Sequence, residues 1–356
     1  MGLKWPFKKK GKSFLGIDVG TSEIRVVELS RYGEQQKLEN YGSLYLPYSY
    51  FISPRIIKKG GMVFSSKRFA EIIATVLRES NIESKRAAFS IPDFSTLFTT
   101  FTLPPMAEKE IPQAVKFEAR RHVPLPLSEV TLDWVITKGG TPINNKQELE
   151  ILLVVVPNRV IEQYRRMAEL CHLDLISLEP EIFALERALV KDKKKIFCLI
   201  DIGARSTTCS IVDKKVVRAS YSFDIGGNDL TERLTKSLGL GYKEAEDLKA
   251  KQGLMAGQEN IASVLKTLLT SMIAEISRVV ENFYEREGKE IEVFIVSGGS
   301  ASLPGLKEYF SQHFKKEIRI AFPFRDMVYP AILEEELRKI GPGFVISVGA
   351  ALKGLE

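Results

Sequence analysis

One motif occurs twice, and that repetition constrains the fold more than any other feature. Residues 14–29 read FLGIDVGTSEIRVVEL and residues 197–212 read FCLIDIGARSTTCSIV. Each is a β-rich apolar run ending in Ile-Asp-(Val/Ile)-Gly, followed by small polar residues and a second β-rich run. That pattern is a strand, a tight turn and a returning strand. The copies stand about half a chain apart, a period too long for a solenoid. Two related lobes, each opening with the same hairpin, are therefore expected. The length of 356 residues agrees, since it exceeds what one hydrophobic core usually serves.

The remaining pattern fills in the lobes. In the first, a strand at 37–46 precedes an irregular stretch with Pro47, Pro54, Gly60 and Gly61, then a helix over 66–80 and a strand at 86–91. The helix carries Phe69, Ile72, Ile73, Val76 and Leu77 on one face, and Ser65 or Ser66 can cap it. The second lobe repeats the scheme, with a hairpin at 196–212, a strand at 216–223 and helices after Gly227. Between them, residues 96–173 read as strand, helix, strand, strand, helix, a small α/β module inserted in the first lobe. Pro112 implies that the module's first helix, 108–122, starts late. The longest helix, 258–287, has an apolar stripe wider than a coiled-coil seam and is expected to pack on a sheet.

The two hairpin turns carry the chemistry. An Asp-x-Gly turn with small followers presents consecutive backbone N–H groups to an anion. Gly20 and Gly203 let a phosphate approach closely. Thr21, Ser22, Ser206 and Thr207 add hydroxyls, and Ala204 leaves room. Asp18 and Asp201 would repel phosphate directly, so their role is to hold Mg²⁺ through water. Two further glycine signals follow. Gly226, Gly227 and Asn228 precede a helical stretch in which Glu246 and Lys249 share a face and could reach ribose and base. Gly298, Gly299 and Ser300, with Leu303 after them, follow an apolar strand, where bare backbone can meet a flat ligand such as adenine.

Composition narrows the partners. The net charge is +6, but Lys4, Lys8, Lys9, Lys10 and Lys12 lie in the first twelve residues with no acid among them. The body is therefore nearly neutral, which argues against a nucleic-acid binder. The basic start is either a tether to an anionic membrane or a frayed end. It has no apolar core stretch, and no run reaches the length that spans a bilayer. Cys171, Cys198 and Cys209 lie in apolar patterns without metal-ligand spacing, as expected for reduced cytoplasmic core residues.

The order of these signals resembles the actin, Hsp70 and sugar-kinase ATPase superfamily, with GIDVGT at 16–21 and LIDIGARSTT at 199–208 as phosphate motifs and VSGGSASLPGL at 296–306 as the adenosine motif. ISVGAALKG at 346–354 resembles a helix connecting the lobes, where Gly349 and Ala350 permit close packing. Within that superfamily, residues 16–30, 103–134 and 152–189 resemble the PilM family of type IV pilus assembly proteins, relatives of FtsA. The resemblance implies an α/β, actin-like (ribonuclease H-like) fold. Its parts would be a basic tail at 1–13, a first lobe (1A) at 14–95 and 174–195, and an inserted 1C-type subdomain at 96–173. A second lobe (2A/2B) would span 196–356, its closing helix 343–354 packing back between the lobes.

The resemblance also implies a role. The family binds ATP (or ADP) with Mg²⁺ in the interlobe cleft and grips the N-terminal tail of PilN in a 1A/1C groove, peripheral to the inner membrane on its cytoplasmic side. Here Phe117, Arg120, Arg121, Val123, Pro124, Leu125 and Leu127 are the groove candidates. Other platform proteins, the motor ATPase and self-association are further implied partners. Glu179 and Asp201 are the candidate catalytic residues. Slow or no hydrolysis is the expectation, because turnover also needs a positioned water. Arg205 departs from the small residue usual in the second phosphate loop. The competing readings are an FtsA-like division protein, expected to carry an amphipathic helix that this sequence does not show after its last segment, and a small-molecule kinase, for which Asp93 is the candidate base.

Overall fold

The computed structural model describes residues 13–46, 65–139, 148–255, 257 and 259–356. The basic tail up to Lys12, the irregular stretch at 47–64 and the turn at 140–147 lie outside the described residues.

The duplication appears as two sheets of the same order. The first hairpin gives β1 (Phe14–Val19) and β2 (Glu23–Tyr32), with β3 (Gln35–Tyr45) antiparallel beside β2. Strands β4 (Arg86–Ile91) and β8 (Asp174–Pro180) add in parallel on the other side, giving β3-β2-β1-β4-β8. In the second lobe β9 (Ile196–Ile202), β10 (Thr207–Asp213), β11 (Val216–Phe223), β12 (Val293–Ser297) and β13 (Glu317–Ile320) give β11-β10-β9-β12-β13. A two-residue strand, β14 (Met327–Val328), leaves the second lobe and pairs with β3, closing that edge of the first sheet.

Helices cover each sheet on its outer face. Strand alternation sends Leu15, Ile17 and Val19 into a core with Phe69 and Ile73 of α1 (Ser66–Glu79) and Tyr164 and Met167 of α3 (Asn158–Leu170). In the second lobe the corresponding core receives α5 (Gly227–Leu238), α6 (Tyr242–Gln252), α7 (Glu259–Glu287) and α8 (Leu306–Phe314). The stripe on α7, including Leu265, Leu269, Met272, Ile276 and Phe283, is buried there, as the width of the pattern requires. A third core lies between the lobes, built around α4 (Glu181–Leu189) and α9 (Glu334–Lys353).

Helix α9 starts earlier than the 343–354 expected from sequence. It runs through Gly341, Pro342 and Gly343 as one helix. Two glycines let it lie against its neighbours. A Cβ on Gly16 of β1 would stand 1.8 Å from the Ser347 carbonyl oxygen, and one on Gly349 would stand 2.0 Å from that of Ala184 in α4.

The inserted module is smaller than 96–173. Its sheet is β5 (Leu97–Leu103), β7 (Leu149–Pro157) and β6 (Val130–Lys138), in the order β5-β7-β6, covered by α2 (Ile111–His122). A 3-10 turn over Glu108–Glu110 precedes α2, so Pro112 falls in the first turn, where a missing N–H is harmless. Helix α3 leaves the module and joins the first-lobe core, because Val160, Tyr164, Met167 and Ala168 all face α1 and the sheet. The module also touches the second lobe: Arg218 Nη1 of β11 donates to the Thr137 carbonyl at 2.6 Å, and Lys138 Nζ meets Glu287 of α7 at 2.6 Å. No described helix is long and apolar enough to cross a membrane.

Candidate functional site

The hairpin turns meet across the cleft between the lobes. Asp18, at the end of β1, is buried, and Asp201, near the end of β9, is partly exposed. Burial pushes Asp18 up to about 7; nearby Arg25 opposes the shift, while Asp201 and Glu23 add to it. Burial raises Asp201 as well, against a 2.8 Å hydrogen bond from Ser297 Oγ and the charge of Arg25. Each aspartate thus marks the end of its lobe's hairpin strand, and both feel the same guanidinium.

Two further acids join them. Asp93 follows β4, and Glu181 opens α4 after Pro180. The Asp93 N–H donates to Glu181 Oε2 at 3.2 Å, and the Ile182 N–H donates to Asp93 Oδ1 at 3.3 Å. The other Asp93 oxygen is buried with no hydrogen-bond partner. Burial, with Asp201 nearby, pushes Asp93 up to about 8. Burial raises Glu181 too, followed by the charges of Asp93, Asp18 and Asp201.

Glu179, the expected catalytic acid, sits elsewhere. It is held in a two-pronged ion pair by Arg187 of α4, whose Nη2 lies 2.8 Å from Oε2 and whose Nη1 also donates to the Gly349 carbonyl at 2.9 Å. Arg187 thus ties α4 to β8 and α9, and both Glu179 oxygens are engaged in that pair. Glu181, two residues on, is the acid that faces the aspartates.

The second phosphate turn is stapled to the start of α5. The N–H groups of Gly227 and Asn228 donate to the carbonyls of Gly203 and Ala204 at 2.9 and 2.8 Å. A Cβ on Gly226 would lie 2.6 Å from the Ala204 oxygen, so only glycine admits this approach. Gly226 N–H is capped by Asp229 at 2.8 Å. These amides are engaged internally, which leaves the partly exposed 203–206 turn as the surface a phosphate would meet. Thr207 is fully buried and donates to the Ile225 carbonyl at 2.7 Å, so it braces the turn and presents no hydroxyl to a ligand.

Lys249 likewise has a different place from the one expected. Its Nζ spends its three protons on the Gly227 carbonyl at 3.0 Å, Thr231 Oγ1 at 2.8 Å and Glu246 at 2.7 Å. It is buried, and burial lowers its pKa against the pull of Glu246. It fastens α5 to α6, while Glu246 keeps a half-exposed carboxylate. In the adenosine loop Gly298 adopts φ +90°, and a Cβ there would lie 2.4 Å from the Ile202 oxygen. Its N–H donates to the Pro342 carbonyl of α9 at 2.8 Å. Gly299 is exposed and Ser300 partly so, whereas Leu303 is buried in the second-lobe core and touches no cleft surface.

Arg25 does not stand out in the sequence, yet it lies across the cleft. It stands directly opposite Asp18 in the β1–β2 register. Nη1 is 3.6 Å from Asp18 Oδ2 and Nη2 is bonded to Glu23. From the second half of the chain, Cβ atoms on Gly299 and Gly343 would be 3.4 Å from its Nη2 and 3.1 Å from its Nε, and the Phe344 ring lies 6.0 Å away. Hairpin register is the signal that could have found it: in a hairpin this tight, the residue seven after Asp18 falls across from it.

A metal fits this set only in one way. Among the described residues, no three His, Cys, Asp or Glu side chains cluster closely enough to hold an ion by themselves. Asp18 and Asp201 with an orphaned Asp93 oxygen suit a cation that arrives with oxygen ligands of its own, such as phosphate and water.

On the module, Phe117 and Leu125 are large apolar side chains left exposed, with Pro124, Arg120 and Arg121 exposed beside them. Arg121 pairs with Glu118 at 3.3 Å. Val123 is buried in the module core and Leu127 packs against it, so those two hold the module together.

Comparisons with known proteins place the chain in a family and a fold. A family model described as "Type IV pilus assembly protein PilM" matches residues 16–355. Cell division protein FtsA of Bacillus subtilis (strain 168) is 24% identical over 241 residues, covering 58% of this chain and 54% of that one. FtsA of Enterococcus faecalis is 25% identical over 190 residues, 47% and 43% of the two chains. The chain thus spans about half the length of the curated relatives it matches. Among solved structures, a PilM-PilN type IV pilus biogenesis complex superposes with a TM-score of 0.83 at 24% identity, over 96% of this chain and 98% of that one. MreB 5 of Spiroplasma citri bound to AMPPNP superposes at 0.53 with 14% identity, over 98% of each. At these identities the structures establish the actin-like fold.

Proposed function

Because the chain belongs to the PilM family of type IV pilus assembly proteins, in its FtsA-like branch, we propose that this actin-like protein is a nucleotide-dependent scaffold of the pilus assembly platform. It binds ATP or ADP with Mg²⁺ between the lobes and a PilN-like N-terminal tail on the module. The observation that carries the reading is the convergence of Asp18, Asp201 and Arg25 with the bare backbone of Gly299 at one cleft. Mg²⁺ would neutralise the phosphates, with Asp18 and Asp201 holding it through water. The 20–22 and 203–206 turns would cradle the phosphates and Arg25 would meet them as a cation. Glu246 and the Gly299-Ser300 backbone would border the nucleoside. The AMPPNP bound to MreB 5 of Spiroplasma citri supports nucleotide binding by a protein of this fold.

The tail would lie along Phe117, Leu125 and Pro124, with Arg120 and Arg121 for its acidic or carbonyl groups. The solved complex of a PilM with PilN supports that partner. Membrane association would then come through the partner, on the cytoplasmic face of the inner membrane. Glu181 with Asp93 replaces Glu179 as the candidate pair for orienting water, should hydrolysis occur. The test is calorimetry with two ligands. Mg-ATP should bind the native chain and lose at least about tenfold in affinity with Asp18→Ala or Asp201→Ala. A synthetic PilN-like tail should bind and be weakened by Phe117→Ala and Leu125→Ala. Unchanged affinities in the variants would remove the respective assignment.

A further inference from the structure

We propose that Glu23 is a built-in competitor of the nucleotide, holding Arg25 on the first lobe until a polyphosphate draws it away and so setting the affinity of the cleft. The inference rests on the nucleotide reading above and assigns that site its regulation.

Glu23 is the first residue of β2, directly after the 20–22 turn. It is only 6% exposed, and its carboxylate accepts from Arg25 Nη2. Arg25 in turn reaches Asp18 and borders Gly299 and Gly343. One guanidinium thus serves two first-lobe carboxylates at the place where a phosphate chain would enter. If it turned to phosphate, Glu23 would be left as a buried charge without its cation, a costly state. The exchange is therefore resisted until the ligand brings enough charge to favour it.

The hairpin does not need this pair in order to fold. In the second copy Ile202 stands opposite Thr207 and Asp201 opposite Thr208, as Val19 and Asp18 stand opposite Ile24 and Arg25 in the first. The residues equivalent to Glu23 and Arg25 are therefore Ser206 and Thr208. That hairpin forms the same strands with neither acid nor cation at those two positions. An acid–cation pair present in one copy only, and placed at the ligand end of the strand, is explained by the ligand and not by the sheet.

The experiment titrates Mg-ATP, Mg-ADP and adenosine into the full chain and into Glu23→Gln, Glu23→Ala, Arg25→Ala and the Glu23→Gln/Arg25→Ala double variant, with thermal unfolding to confirm folding. Both Glu23 variants should bind ATP and ADP about tenfold tighter, as expected when a buried competing charge is removed, and adenosine unchanged. Arg25→Ala should bind the phosphorylated ligands more weakly. In that background the gain from Glu23→Gln should shrink below about threefold, because there is no cation left to compete for. Equal gains in both backgrounds, or no gain in either Glu23 variant, would overturn the competitor role while leaving nucleotide binding intact. A native chain that binds none of the three ligands would overturn the nucleotide reading and this one together.

Discussion

Asp93 shows how a single side chain can link the cleft to the stability of the whole. Its carboxyl, pushed up to about 8 by burial and by Asp201, keeps a proton in the folded state that the unfolded chain releases near the ordinary value of 3.8. A raised carboxyl pKa contributes stability that is fully present below the unfolded value and is lost as pH rises through the folded one. The nucleotide-free protein should therefore lose urea stability between about pH 4 and pH 8. Asp93→Asn should make that slope shallower, by up to about 1.4 kcal/mol per pH unit. At this scale the sequence is partly legible. Asp18, Asp201 and the glycines follow from the motif itself. Glu179 and Glu181 cannot be told apart, because Pro180 sits between them where the strand gives way to the helix and the side-chain period changes. Lys249, Thr207 and Leu303 have the sequence context of ligands although each is buried, since a motif states which residues are near a site but not which way they point.

Among the elements, the hairpins, β3, β4, the module strands and α7 are legible because their apolar periods are long and regular. Helix α9 is legible only in its second half. The Gly341-Pro342-Gly343 run reads as a break, yet packing on both lobes carries the helix through it, and the Pro342 carbonyl accepts from Gly298. The closeness of α9 to β1 depends on Gly16. Gly16→Ala would drive a methyl into the Ser347 carbonyl at 1.8 Å, and backbone on both sides prevents a local escape. The variant should lose about 3 kcal/mol or more in denaturant unfolding, whereas alanine at exposed Gly33, which has no atom within 4 Å, should cost only its left-handed φ.

For the whole molecule, duplication predicts two lobes, and the sheets share one strand order. The docking of the module on the second lobe is not legible, since it is made by residues far apart in sequence. Arg218 of β11, with Asp213 4.0 Å from its Nε, reaches the Thr137 carbonyl and Glu150 of the module, while Phe98 of the module faces Phe183 of α4 with ring centroids 6.5 Å apart. Arg218→Ala would remove the hydrogen bond to the Thr137 carbonyl while leaving Glu150 with Lys138 and Asp213 with Lys289, and should cost about 2 kcal/mol. Amide hydrogen exchange should then quicken in β6 and β11 before it does in the α1–α3 core, because Arg218 ties the module to the second lobe and takes no part in that core. A last consequence concerns synthesis. The outer strand of the first sheet, β14, comes from residues 327–328, and the helix that seals β1 comes after it. A nascent chain that has made residues 14–195 still lacks that lobe's edge and cover until residues 327–353 have followed. Truncation before residue 327 should leave that lobe with an open, aggregation-prone edge, and truncation within α9 should keep the edge but strip the cover from β1.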